Sequence, residues 1–164
     1  MYEKKVLCSL LCFIISVNAF SQDEPFFTET GNDKVYNSLN EALISPENAY
    51  SLDLSEKDLK SFPEDIFKLV KLRSLYLGGN KITKIPGKIT ELRELEEFYI
   101  QNNLIKAIPR EIGELTNLRK LVLGKNQLEE LPKEICNLKK LKILFLEENN
   151  LTEIPLEIGK LNGL

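Results

Sequence analysis

The sequence predicts a solenoid of α/β class, in which one short strand and one short helical turn recur as stacked coils. Two observations carry that expectation. Five units begin at Ala49, Leu72, Leu95, Leu118 and Leu141, each 23 residues after the last and with no insertion between them. Repetition at a fixed period of roughly 20 to 50 residues marks a chain of stacked units. Within every unit the apolar spacing also changes from two to three, which takes the chain from a strand to a helical turn.

Ahead of the repeats, residues 1 to 21 have the form of a secretory signal peptide. Lys4 and Lys5 form a positive start, VLCSLLCFIISV (6 to 17) is an apolar run, and Ala19 and Ser21 are small residues before Gln22. The run is shorter than the ~20 residues that span a bilayer. The mature chain is therefore expected to carry no membrane span and to be secreted or held in the periplasm or cell envelope; a buried or anchoring N-terminal helix is the alternative. Removal of the signal would take Cys8 and Cys12 with it and leave Cys136 alone. One cysteine makes no internal disulfide, so stability must come from packing.

Residues 22 to 32 (QDEPFFTETGN) are polar, with Pro and Gly, and are expected to form a flexible lead-in. Residues 33 to 48 are expected to form a capping helix. Val35, Tyr36, Leu39, Ala42 and Leu43 would share one face, with Asp33 as N-cap and Ser45-Pro46 as the stop. That face would cover the open apolar edge of the first coil.

From 49 to 164 each column of the repeat has a physical task. The fourth and sixth places hold Leu52/Leu54, Leu75/Leu77, Phe98/Ile100, Leu121/Leu123 and Leu144/Leu146, the spacing of a strand that turns both residues inward. The ninth holds Asn80, Asn103, Asn126 and Asn149. A side-chain amide donates and accepts, so a stacked column of Asn can satisfy the backbone groups freed where each strand leaves the sheet. Pro63, Pro86, Pro109, Pro132 and Pro155 mark the switch to the outer side, because proline suits the start of a helical turn. Ile66/Leu69 and their counterparts, three apart, then give one apolar stripe on that turn.

These columns resemble the leucine-rich repeat family, in its 23-residue class with the pattern LxxLxLxxNxLxxLPxxIxxLxx, and the resemblance runs from 46 to 164. It implies a curved, right-handed solenoid with a parallel sheet on the concave side and a role in binding proteins or peptides. The segment 33 to 48 resembles the helix that leads into exported bacterial proteins of this kind. Two departures stand out: Ala49 replaces the first Leu, and Lys57 occupies the first Asn position.

Composition limits the chemistry. The chain contains no histidine, which removes Ser-His and Cys-His nucleophilic sites and most zinc sites. A formal charge of −3 gives no general attraction to nucleic acid. Cys136 stands where sibling coils carry Gly113 and Gly159, the place of a small packing residue. Glu129, Glu130, Glu147, Glu148 and Glu153 read as a solvated acidic face, and Asn150-Leu151-Thr152 is a glycosylation sequon only in a host that glycosylates exported chains. No catalytic residue, metal or cofactor is expected.

The fifth place, between the two inward residues, holds Asp53, Tyr76, Tyr99, Val122 and Phe145, which would form an outward row. Glu97 and Lys120 on one side of that row and Gln101 on the other complete the candidate protein-binding surface. Aromatic residues suit strands whatever they face, so strand filling is the competing reading. At Leu164 the sequence reaches the first residue of a would-be sixth coil. Three readings fit: a fragment of a longer protein for which this is the sensor or positioning part, an edge that meets a partner or a second copy, and a fraying last coil.

Overall fold

The computed structural model describes residues 34–161. Six short strands form one parallel sheet whose spatial order follows the chain. They are β1 (Val35–Tyr36), β2 (Ser51–Asp53), β3 (Ser74–Tyr76), β4 (Glu97–Tyr99), β5 (Lys120–Val122) and β6 (Ile143–Phe145). The register repeats the 23-residue period: Leu52 lies beside Leu75, Leu75 beside Phe98, Phe98 beside Leu121, and Leu121 beside Leu144. The signal peptide 1–21, the lead-in 22–32 and the Asp33 cap lie outside the described residues.

After each proline comes a 3-10 turn: Glu64–Lys68, Gly87–Glu91, Arg110–Glu114, Lys133–Asn137 and Leu156–Lys160. The proline itself is extended, and its carbonyl accepts from the Ile three residues on, at 3.1 Å from Ile66 and 3.0 Å from Ile89, Ile112 and Ile158. Proline thus supplies an acceptor without adding a donor that would need a partner. Ile66, Ile89, Ile112 and Ile135 are fully buried and meet the inward strand residues, with Leu75, Leu77, Phe98, Ile100, Leu121 and Leu123 also at 0% exposure.

The asparagine column works as the sequence predicts. The Asn103 amide donates to the Leu77 carbonyl of the preceding coil at 2.9 Å and to Ile100 of its own at 3.2 Å, while its oxygen accepts from the Ile82 N–H at 2.9 Å. Asn80, Asn126 and Asn149 repeat this bridge, Asn80 accepting from both Lys57 and Leu59. Each asparagine therefore serves the coil before it, so Lys57 in the first coil leaves no complete coil unserved.

The N-terminal segment departs from the expected single helix over 33–48. Val35 and Tyr36 form β1 and pair with Ser51 and Leu52, helix α1 is limited to Leu39–Ala42, and Pro46–Asn48 is a 3-10 turn. The edge of β2 carries unpaired backbone groups, and satisfying them outweighs continuing a helix through two residues. Tyr36 and Ala42 are buried and Leu39 and Leu43 pack on the core, whereas Val35 is 38% exposed. The first coil is covered by this mixed segment.

Candidate functional site

With Leu52, Leu75, Phe98, Leu121 and Leu144 committed to the core, the next residue of every strand must face the other way. The register sets Asp53, Tyr76, Tyr99, Val122 and Phe145 side by side on that outward face. Tyr76 and Tyr99 stack with centroids 4.7 Å apart and planes 18° apart, the separation of the strands that carry them. Flanked so closely, Tyr99 and Val122 retain only 5% and 8% exposure, although neither belongs to the interior core. Tyr76 and Phe145 stay half-buried and present the accessible part of the row.

Beside the tyrosine stack lies a half-buried polar cluster. The Tyr76 hydroxyl donates to Glu97 Oε2 at 3.5 Å, and Lys120 Nζ stands 4.0 Å from Glu97 Oε1 and 5.5 Å from the centre of the Tyr99 ring. Burial raises the Glu97 carboxyl above its ordinary value, with the Lys120 charge pulling the other way. Burial and then the Glu97 charge push the Tyr76 phenol up to about 12, and the same two causes raise Tyr99. These groups bring hydrogen-bonding capacity and a compensated charge pair to an otherwise apolar strip.

Tyr76, Glu97, Tyr99 and Lys120 are thus brought together, and Val122 and Phe145 continue the strip. Gln101 folds over Gly78, where an added Cβ would lie 2.7 Å from the Gln101 amide nitrogen. Asp53 sits at the first-coil end and accepts from its own Ser55 N–H at 2.8 Å. Cys136 is buried, and burial raises its thiol, consistent with a packing role. Among the described residues no three Asp, Glu, Cys or His side chains converge as a metal site would need, and no helix is long and apolar enough to cross a membrane.

Two features escape a reading based on apolar columns. Charged residues also pair 23 apart: Asp58 with Lys81, Lys71 with Glu94, Glu96 with Arg119, Glu97 with Lys120, and Lys125 with Glu148. The eighth place of every coil has positive φ, at Glu56 (55°), Gly79 (66°), Asn102 (54°), Lys125 (54°) and Glu148 (53°). The charge pairing could have been found by applying the repeat period to charge; the left-handed column is hinted at only by Gly79 and Asn102.

The comparisons with known proteins agree with this architecture. A leucine-rich repeat protein of Leptospira interrogans is 36% identical, aligning over 81% of this chain and 40% of its own, with a TM-score of 0.65. The plant peptide hormone receptor RGFR1, solved in complex with RGF2, is 39% identical over 63% of this chain and 18% of its own, with a TM-score of 0.59. The ectodomain of the Arabidopsis thaliana receptor kinase GASSHO1/SCHENGEN3, solved with CASPARIAN STRIP INTEGRITY FACTOR 2, is 32% identical over 63% of this chain and 13% of its own, with a TM-score of 0.57. The chain thus spans well under half the length of each of these relatives. No curated protein matches it in sequence. The family model described as Leucine rich repeat matches residues 47–105 and 93–151, and the chain belongs to the leucine-rich repeat family.

Proposed function

We propose that the chain is a non-enzymatic binding module that holds a protein or peptide on the outward face of its sheet. The observation that carries this reading is the strip running from Tyr76 across Tyr99 and Val122 to Phe145, apolar in its body and bordered by the Glu97 and Lys120 pair. Aromatic groups held rigidly by their neighbours offer contact area at little entropic cost. The two plant receptors solved with bound partners support a ligand-binding role for stacked repeats of this kind. Asp53, Gln101 and Lys120 would border the contact. The signal-like residues 1–21 support an exported module, and N-terminal mass analysis of the native protein tests that part.

The face is tested with peptides selected on the intact chain from a display library. Those peptides should lose about tenfold or more in affinity for a Tyr76→Ser/Phe145→Ser variant, as expected for anchor residues. They should keep their affinity for Val70→Ser, a 53% exposed residue on the outer side of the coil. Selected peptides that bind the double variant unchanged would overturn the assignment of the face, with a retained melting transition as the control for folding.

A further inference from the structure

The charges on this face are unevenly answered. In the third, fifth, seventh and eighth places of the five coils the cations are Lys120 and Lys125, and each already meets a carboxylate, Glu97 at 4.0 Å and Glu148 at 3.6 Å. Asp53 and Glu56 in the first coil, and Glu147 in the fifth, make no ion pair among the described residues. Glu147 is held in place by the shape of its neighbour: its carboxylate lies over Gly124, where an added Cβ would fall within contact of Oε1. A carboxylate on this face with no ion-pair partner among the described residues is open to an incoming basic side chain.

The two unanswered acidic ends flank the apolar strip. The first and fifth coils are four strand spacings apart, about 19 Å, and an extended peptide rises ~3.3 Å per residue. We infer that the occupant of this face is an extended segment with a basic side chain at each end of an apolar stretch, the two about six residues apart, one meeting Asp53 and Glu56 and the other Glu147. The segment would run across the strands, along the axis of the stack. This inference rests on the proposed binding face and adds the chemistry of the ligand.

The test uses three synthetic decapeptides with the intact chain at low salt. One has two arginines six positions apart around apolar residues, the second has glutamate in place of both arginines, and the third has both arginines at one end. The first should bind about tenfold tighter than the second, as two exposed ion pairs would give. It should also bind about threefold tighter than the third, which can satisfy one end only. Asp53→Asn and Glu147→Gln, which preserve side-chain shape, should each weaken the first peptide about threefold, and added salt should erase the difference. Equal affinity for the arginine and glutamate peptides, preference for glutamate, or no binding by any of the three overturns the inference. Library peptides that need Tyr76 and Phe145 yet carry no basic excess would overturn the charge assignment alone and leave the binding face standing.

Discussion

The third and fifth coils carry the same apolar pattern in different surroundings. In the third, Ile105, Ile108 and Ile112 are buried at 0%, 6% and 0% exposure, with a complete coil on either side. In the fifth, the matching Leu151, Ile154 and Ile158 are only half-buried, and neighbouring Leu156 is 96% exposed. β6 is the outer strand of the described sheet, so among the described residues these side chains meet a neighbour on one flank. The repeat code fixes which way a side chain points; how deeply it is buried depends on what is stacked against it. Stability should therefore be graded along the stack.

The largest test of that grading is a cavity. Ile85→Ala in the second coil removes a residue at 0% exposure and should cost about 2–5 kcal/mol. Ile154→Ala, in the same column of the fifth coil, should cost about 1 kcal/mol because part of the side chain is already in water. Urea denaturation of both variants measures the difference, and equal losses would show that the second-coil and fifth-coil positions of the column are energetically alike.

Somewhat smaller is the effect expected in the asparagine column. Asn103→Ala orphans the buried Ile82 N–H and leaves the Leu77 and Ile100 carbonyls with one amide donor each, from Asn80 and Asn126, a loss of about 2 kcal/mol. Asn149 makes the same contacts to Leu128, Leu123 and Leu146 but is only half-buried. Water can replace part of what it provides, so Asn149→Ala should cost about 1 kcal/mol in the same assay.

The smallest effect runs the other way and should be the same in both regions, since it is local to the backbone. Lys125 and Glu148 hold φ values of 54° and 53°, a region that glycine enters freely. Lys125→Gly and Glu148→Gly should each stabilise by about 0.5–1 kcal/mol, read as a rise in melting temperature. A loss at either position would mean that its ion pair, Lys125 to Glu148 at 3.6 Å, contributes more than the strained backbone costs.

Much of this architecture was legible in the chain. The inward leucines, the bridging asparagines and the prolines ahead of the outer turns each repeat at 23 residues and appear where the pattern puts them. The outward direction of Tyr76, Tyr99, Val122 and Phe145 followed as well. Their accessibility did not: Tyr99 is shielded by its stacking partner Tyr76 and by the strand on its other side, so half of the expected row offers little free surface. Nor did the pairing of Glu97 with Lys120, because like other surface charges the two were read singly, without the repeat period.

The sequence by itself determined the coil: its length, its inward columns, its turning points and the register in which copies stack. These follow from short-range spacing, and every copy states the same pattern again. The tertiary structure decided what depends on a neighbour. It drew Val35 and Tyr36 out of a helical pattern to pair with β2, closed Tyr99 and Val122 between adjacent strands, and laid Glu147 over Gly124. Backbone pairing and burial are properties of two surfaces in contact, and a periodic sequence specifies only one of them at a time.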